Sequence, residues 1–175
     1  MVRGRQKKMI RRAKRDDIWQ LTEIYNDAIL HTTATFDTEL KGVEDRTRWY
    51  EAHIGKHVLL VCEEDGNVVG YASLSRYREK DAYDGAVELS VYVHSDYRGR
   101  GIGRALMEEI LSWAEKCREI VTVISLITSE NAVSIHLHEA FGFSFCGQIR
   151  CAGEKFGRSL HVNAYQIIYE RGLKP

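Results

Sequence analysis

The sequence of 175 residues has little of what divides a chain or inserts it into a membrane. Its single proline is the last residue, and it contains no repeat and no low-complexity stretch, so no linker is indicated. No apolar run approaches the roughly 20 residues that span a bilayer. We therefore expect one compact domain over residues 9–171, between a basic, flexible N-terminal segment at 1–8 and a C-terminal tail at 172–175.

An excess of charge of one sign is also absent. Lys and Arg together number 25, as do Asp and Glu, so no global attraction to nucleic acid or to an acidic membrane is expected. The basic segment runs into Met9-Ile10 and then into more charge, whereas a secretory signal continues into an apolar stretch. A solvated terminus and a functional arm are both compatible with this segment. We expect a cytoplasmic protein with no nucleic-acid or membrane partner.

Cysteines are few and are not arranged for metal binding. Cys62, Cys117, Cys146 and Cys151 lack the C-x-x-C spacing of structural zinc sites, and the nearest pair has four residues between its members. Because no export signal is present, we expect four reduced thiols and no metal.

The hydrophobic pattern predicts a mixture of helices and strands. Apolar residues spaced by three and four predict a helix capped by Asp16-Asp17, and a second helix starts near Val43-Glu44 and carries Trp49. Two apolar runs around an Asp-Gly turn predict a hairpin over 58–74. Further along, the pattern predicts a strand over 87–94, a helix over 102–117, a strand over 120–127, a helix over 131–141, and one or two strands up to Tyr169. This order indicates an α/β (α+β) domain with about four helices and a mixed, mostly antiparallel sheet.

The strand over 87–94 alternates strictly between apolar and polar residues. Such alternation places successive side chains on opposite faces of a sheet. The apolar face consists of Val87, Leu89, Val91 and Val93. The polar face consists of Glu88, Ser90, Tyr92 and His94.

A glycine-rich turn, Tyr97-Arg98-Gly99-Arg100-Gly101-Ile102-Gly103, follows this strand and leads into a helix. Glycines allow backbone N–H groups to point outward, and a helix N-terminus favours anions. The turn is not a Walker A loop or a dinucleotide fingerprint, because Arg104 stands where each motif requires another residue. It matches Arg-x-x-Gly-x-Gly instead. Phosphate is the predicted ligand class, with a plain strand-to-helix connection as the alternative.

The helix over 131–141 carries a second polar group. Asn131 and His138 are seven residues apart and fall within about 20° of one another around the helix, on the same face as Ser134. His136 points away from His138, so no two-histidine metal site is expected. The predicted buried face consists of Val133, Leu137, Ala140 and Phe141.

Taken together, these features resemble the GNAT N-acetyltransferase superfamily, and within it the phosphinothricin acetyltransferase group and its methionine sulfoximine- and sulfone-acetylating relatives. The resemblance extends from Ile10 to Tyr169. It is carried by Ile24-Tyr25-Asn26-Asp27-Ala28, Thr32-Thr33-Ala34-Thr35-Phe36, the strand Val87 to Val93, Asn131-Ala132-Val133-Ser134-Ile135, Leu137-His138-Glu139, Gly142-Phe143 and Lys155-Phe156-Gly157-Arg158. It implies the GNAT fold, acetyl-CoA as co-substrate, and a homodimer with the pocket near its interface.

The resemblance also implies which residues bind the cofactor. The turn would hold the coenzyme A pyrophosphate, and the adjoining strand would pair with the pantetheine arm, with a backbone N–H near Val91 polarising the thioester carbonyl. The implied cofactor-binding residues are Val91, Tyr92, Val93, Arg98, Gly99, Arg100, Gly101, Ile102, Gly103, Arg104, Asn131 and Ser134.

Amide formation from a thioester requires a neutral amine and a proton for the leaving thiolate. Glu88 is the candidate base, since similar enzymes carry a glutamate at this position, and a solvated carboxylate is the alternative. His138 stands where many relatives have a tyrosine proposed to protonate the sulfur. It is a candidate acid or a second base acting through water, with a structural histidine as the alternative. We expect direct attack in a ternary complex without a covalent acyl-enzyme.

An amino-acid-like acceptor requires a cation for its carboxylate, preferably an arginine. Arg78 is the first candidate and Arg76 the second, although both are also compatible with surface residues. The full set of predicted substrate-binding residues is Phe36, Arg76, Arg78, Glu88, Ser90, Phe156 and Arg158. The chain departs from its relatives at Ser159-Leu160-His161, where they commonly have an aromatic residue, leucine and an acid.

The leading hypothesis is an acetyl-CoA-dependent N-acetyltransferase that acts on the primary amine of a small amino-acid-like substrate. Two alternatives are kept. One is a protein N-terminal or lysine acetyltransferase, which would need an open groove. The other is a non-catalytic acyl-CoA-sensing module that uses its basic N-terminus to bind a partner.

Overall fold

A computed structural model describes residues 8–172, in which seven strands form one sheet and four α-helices flank it. The strands are β1 (Lys8–Arg12), β2 (Leu59–Glu64), β3 (Asn67–Arg76), β4 (Ala86–Val93), β5 (Thr122–Thr128), β6 (Ser144–Lys155) and β7 (Arg158–Ile168). The helices are α1 (Ile18–His31), α2 (Val43–Glu51), α3 (Ile102–Lys116) and α4 (Ala132–Ala140). The sheet order is β1-β2-β3-β4-β5-β7-β6.

All neighbouring strands in this sheet are antiparallel except β4 and β5, which run parallel. The α3 helix connects these two parallel strands. The predicted mixed, mostly antiparallel sheet with four helices is therefore confirmed. No helix in the described part of the chain is long and apolar enough to cross a membrane.

The sheet separates two apolar clusters. The larger one lies against α3 and includes Leu74, Val87 and Leu106, whereas the smaller one lies against α1 and includes Leu21 and Tyr71. Burial of this apolar surface is the main favourable contribution to folding. The two faces of β4 thus contact different layers, as its alternating sequence predicts.

Strand β1 was not predicted, because Met9-Ile10 alone is too short an apolar signal. Its five residues pair antiparallel with β2, from Lys8↔Glu64 to Arg12↔Leu60. The basic segment therefore ends within the sheet at Lys8, and residues 1–7 lie outside the described residues. The predicted tail at 172–175 lies outside them as well, apart from Gly172.

The start of α1 differs from the predicted cap. The carboxylate of Asp17 makes no capping hydrogen bond to α1. Instead it accepts from the backbone N–H of Lys14 at 2.7 Å and forms an ion pair with Arg11, also at 2.7 Å. Its charge therefore ties the end of β1 to the turn that precedes the helix.

The buried face of α4 also differs from the prediction. Val133 is 84% exposed, and Ala140 is exposed as well, whereas His138 is only 4% exposed. Leu137 and Phe141 pack partly against the larger apolar cluster, as predicted. The imidazole of His138 contacts the ring of Phe143 edge-on at 4.8 Å between centroids. The helix is thus rotated so that a histidine takes a core position.

Candidate active site

A cleft of about 1330 Å³ opens where β4 and β5 separate. These strands pair only from Ala86↔Thr122 to Glu88↔Ile124, although β4 continues to Val93 and β5 to Thr128. Past Glu88, β4 has no strand neighbour on its β5 side among residues 8–172. Backbone groups on this stretch are therefore free to pair with a ligand. We call this opening the central cleft.

Most of the predicted site residues line the central cleft. Those implied to bind the cofactor are Val91, Tyr92, Val93, Arg98, Gly99, Gly101, Ile102, Gly103, Arg104, Asn131 and Ser134. Those predicted for catalysis or for the acceptor are Phe36, Glu88, Ser90, His138, Phe156 and Arg158. The structure thus brings together residues that are far apart in the sequence.

The glycine turn at one end of the cleft is shaped for an anion. Gly99 and Gly101 have positive φ angles of 74° and 77°, a conformation that only glycine adopts without strain. The first hydrogen bond of α3 runs from the Ala105 N–H to the Gly101 carbonyl, so the N–H groups of residues 102–104 have no helical acceptor. These donors, together with the helix dipole, suit the phosphates of coenzyme A.

The three arginines near the turn point in different directions. Arg98 is 49% exposed, donates from Nε to the Val93 carbonyl, contacts Asp27 at 3.3 Å and lines the central cleft. Arg104 lies over the ring of Phe141. Arg100 does not line the cleft, because its guanidinium donates to the Asp96 carbonyl at 2.9 Å. Only its backbone is placed to serve the turn.

Gly101→Ala is expected to weaken the binding of coenzyme A by about 5- to 30-fold. A Cβ at positive φ costs about 1–2 kcal/mol, and relaxation of the turn would re-aim the free N–H groups. Calorimetric titration with coenzyme A measures the effect. The matched control is Gly42→Ala, where φ is −84° and a Cβ has open space. Equal dissociation constants for the two variants would contradict the role of the turn.

At the start of α4, Asn131, Ser134 and His138 form a connected group. The side-chain oxygen of Asn131 accepts from the Ser134 N–H at 3.1 Å and caps the helix. His138 Nδ1 lies 2.7 Å from the Ser134 carbonyl. Since a carbonyl only accepts, Nδ1 carries the proton and Nε2 holds a lone pair. The predicted shared face of these three residues is confirmed.

The imidazole of His138 is poised as a neutral acceptor. Burial lowers its pKa below the ordinary value, and the hydrogen bond to the Ser134 carbonyl opposes this shift more weakly. Its Nε2 is buried and has no hydrogen-bond partner within residues 8–172. A buried acceptor without a partner is uncommon in folded proteins and marks a position that a ligand or a water molecule can satisfy.

Glu88 lies in the wall of the central cleft at the point where β4 and β5 part. Burial raises the pKa of its carboxyl group above the ordinary value, and Arg78 opposes this shift with a smaller effect. The carboxylate makes no hydrogen bond or ion pair with the described residues. A half-buried carboxyl group with a raised pKa and no partner is typical of a functional acid or base.

Three strand pairs continue from Glu88 along one face of the sheet. They are Ser75↔Glu88, Ser73↔Ser90 and Tyr71↔Tyr92. Paired residues of antiparallel strands share a face, so these six side chains form a polar and aromatic row beneath α1 and α2. The row begins in the central cleft.

The loops above the cleft place the remaining predicted residues. Phe36 packs closely over Gly153, and Phe156 is exposed at the tip of the β6–β7 hairpin with φ of 54°. Arg158 forms a two-pronged ion pair with Glu130, at 2.7 and 2.8 Å. This pair occupies its guanidinium, so Arg158 lines the cleft with its charge already compensated.

The arginines predicted to bind a substrate carboxylate are not brought into the cleft. Arg76 donates to the Arg78 and Glu79 carbonyls at 3.0 and 2.7 Å, because the β3–β4 connection folds back on itself. Arg78 lies over the ring of Tyr77, and it reaches Glu88 only through its charge. Neither arginine lines the central cleft.

A buried arginine on α2 was not among the predicted site residues. Arg46 is 4% exposed and lies over the rings of Tyr25 and Trp49. It lines a pocket of about 460 Å³ that adjoins the central cleft, and we call this space the Arg46 pocket. Arg46 and Trp49 are three residues apart and therefore lie on one face of the helix. This spacing is the one feature of the sequence that indicates the contact between them. Because arginine is normally exposed, Arg46 was not considered as a pocket residue.

Known proteins with similar sequences are acetyltransferases. Residues 19–143 match the acetyltransferase (GNAT) family. The chain is 40% identical over 167 residues to an L-methionine sulfoximine/L-methionine sulfone acetyltransferase of Salmonella typhimurium, which covers 95% of this chain and 97% of that protein. It is 36% identical over 161 residues to a phosphinothricin N-acetyltransferase of Streptomyces coelicolor, with 90% and 94% covered.

A solved structure agrees with these sequence matches. The structure of yncA from Salmonella typhimurium with its cofactor acetyl-CoA matches with a TM-score of 0.91 and 38% identity over 96% of this chain and 97% of that one. The fold, the glycine turn and the sequence matches therefore agree, and the chain belongs to the GNAT family of acetyltransferases.

Proposed function

We propose that this acetyltransferase moves an acetyl group from acetyl-CoA to the primary amine of a small amino-acid-like acceptor. The observation that carries the proposal is the position of Glu88, a half-buried carboxyl group without a partner among residues 8–172, in the same cleft as the glycine turn. Relatives named for methionine sulfoximine, methionine sulfone and phosphinothricin support this class of acceptor.

In this reaction, different residues bind the donor, orient its thioester and remove the proton from the amine. The N–H groups of residues 102–104 and Arg98 hold the phosphates, and the unpaired stretch of β4 near Val91 orients the thioester. Acetyl-CoA supplies the acetyl group. Glu88 takes the proton from the acceptor amine, either directly or through water, so that the nitrogen attacks as a neutral nucleophile. No covalent bond to the protein is required.

His138 supports the removal of this proton. Its Nε2 lone pair is available to a water molecule or the acceptor, and its lowered pKa keeps the ring neutral near pH 7. A neutral imidazole can accept a proton or a hydrogen bond from a water molecule that leads to the amine. The alternative role, protonation of the leaving sulfur, would need a protonated imidazole. The leaving sulfur can take its proton from the same hydrogen-bonded water molecules that carry the proton away from the amine.

Release of free thiol from acetyl-CoA tests the proposal. The full chain is assayed with a panel of L-amino acids that includes methionine sulfoximine, methionine sulfone and phosphinothricin, and with a lysine-containing peptide as the alternative acceptor. Turnover on the amino acids and not on the peptide is expected. Tight binding of coenzyme A without turnover on any amine would instead indicate an acyl-CoA-sensing module.

The assembly and location belong to the same proposal. We infer a single acetyltransferase domain over 9–171 that acts in the cytoplasm, without a nucleic-acid or membrane partner, as a homodimer. The edge strand β6 and the adjoining β7 expose Phe145, Ile149 and Ile168, and an exposed apolar edge favours pairing with a second chain. Sedimentation equilibrium of the full chain measures the oligomeric state.

A further inference from the structure

The Arg46 pocket is continuous with the central cleft. The two share Tyr25, Ser90 and Tyr92 in their walls. The floor of the pocket includes Ser73 and Ser75, which belong to the polar row that begins at Glu88. A ligand bound at Glu88 can therefore extend into this pocket without crossing the protein.

Arg46 is a buried cation that lacks a counter-ion. Among the described residues, its guanidinium makes one hydrogen bond, from Nη2 to the hydroxyl of Tyr71 at 3.3 Å, and its Nε is buried with no partner. No carboxylate within residues 8–172 forms an ion pair with it. An arginine has five N–H donors, and an unpaired buried charge is strongly unfavourable unless a partner binds.

The acidic residues of the pocket do not supply this partner. Asp37 accepts from the Tyr25 hydroxyl at 2.7 Å and contacts Lys41 at 3.3 Å. Asp45 lies 3.9 Å from Arg48 at the rim. The pocket thus contains three cations and two carboxylates, and both carboxylates have other partners. The charge that remains for a ligand is that of Arg46.

The aromatic residues around Arg46 hold its guanidinium in place. The central carbon of the guanidinium lies 3.6 Å from the Trp49 ring centroid and 4.5 Å from that of Tyr25. Stacking keeps the planar fork fixed and excludes water, and both effects strengthen a hydrogen bond to an anion. The guanidinium is therefore held in a geometry that suits two parallel hydrogen bonds to the two oxygen atoms of one anionic group.

We propose that the Arg46 pocket binds an oxyanion at the far end of the acceptor side chain, such as a phosphinate or a carboxylate. The inference rests on the proposed function, which places the acceptor amine at Glu88. Ser75, the cross-strand partner of Glu88, and Ser73 lie in the floor of the pocket, so a group several bonds from an amine at Glu88 can enter it without spanning the whole strand. The α-carboxylate of an amino acid is two bonds from its amine and is too close, whereas a distal group extends toward Arg46.

Two acceptors of almost the same shape test this proposal. Phosphinothricin and methionine sulfone share a skeleton, but only the former carries a negative charge at the distal group. Arg46→Met is expected to lower kcat/KM for phosphinothricin by about 10- to 100-fold, and that for methionine by less than about threefold, with the sulfone between them. Arg46→Lys keeps the charge without the planar fork and is expected to give an intermediate loss.

The matched control for the loss of an arginine is Arg15→Met. Arg15 is 68% exposed and forms an ion pair with Glu51, which lies on α2 as Arg46 does. Because Arg15 lines neither the Arg46 pocket nor the central cleft, all acceptors should keep their wild-type rates. Thermal unfolding of each variant reports whether the fold is retained. An equal loss with every acceptor in both Arg46 variants would overturn the proposal and identify Arg46 as structural.

Direct binding separates this proposal from the acetyl-transfer proposal. Because Trp49 stacks on Arg46, its fluorescence should change saturably when the free protein is titrated with phosphinothricin in the absence of acetyl-CoA, and the dissociation constant should rise at least 10-fold in Arg46→Met. Binding without turnover would support the pocket and contradict acetyl transfer. Turnover with no Arg46-dependent binding would retain the acetyltransferase and overturn the pocket.

Discussion

Glu88→Gln is expected to lower kcat for acetyl transfer by about 10²- to 10⁴-fold, the usual contribution of a general base. Glutamine has nearly the same shape but cannot accept a proton from the amine. The dissociation constant for coenzyme A should stay within about twofold, because the glycine turn lies at the other end of β4. Single-turnover rates and calorimetric titration measure the two quantities.

The pH profile distinguishes a base from a positioning group. Burial raises the pKa of Glu88, so the active, ionised form is lost as the pH falls through this raised value. The wild-type rate should therefore decline on the acid side, and this limb should be absent in Glu88→Gln. The control is Glu108→Gln on the exposed side of α3. If kcat and coenzyme A affinity fell equally, Glu88 would be structural.

His138→Phe is expected to lower kcat by about 10²-fold while the free energy of unfolding changes by less than about 1 kcal/mol. Phenylalanine keeps the ring contact with Phe143 and removes Nε2, the buried acceptor without a partner. The lost hydrogen bond from Nδ1 to the Ser134 carbonyl is offset by relief of this unpaired nitrogen. Steady-state kinetics and urea unfolding measure the two effects.

The control for this change is His57→Phe, which replaces a half-buried histidine in the connection between α2 and β2. Its kcat should equal that of the wild type. If His138→Phe retained the wild-type rate and unfolded at a higher urea concentration, His138 would be a core residue with no part in the reaction. A loss of rate together with a large loss of stability would point instead to displacement of α4.

The sequence pattern was most informative where one strand or turn acts alone. The alternation of β4 predicted both of its faces, and the glycines after it predicted a tight turn into a helix, because local backbone geometry determines both features. Strand β1 was missed because its pairing with β2, and not its own composition, makes it a strand. Pairing between distant segments is not visible in a short window of sequence.

Two features of the site differ from what the sequence suggested, and they have a common cause. A helical wheel gives the angles between side chains but not the rotation of the helix against the sheet, so His138 was not expected in the core. Likewise, Arg76 and Arg78 were predicted for the acceptor because their polar loop resembles the family's substrate loop, whereas this loop satisfies Arg76 locally. Arg46 lies in the pocket because α2 packs across the sheet. Tertiary packing decides all three positions.

In the proposed function, the two faces of strand β4 serve different substrates. Val91 and Val93 pack against the larger apolar cluster beside α3 and the glycine turn, whereas Ser90 and Tyr92 face the layer of α1 and α2. Substitutions on α2 or at Ser73 and Ser75 can therefore alter the choice of amine without disturbing the phosphate turn. A lineage that retains this strand can diversify its acceptors by point mutation while its use of coenzyme A stays constant.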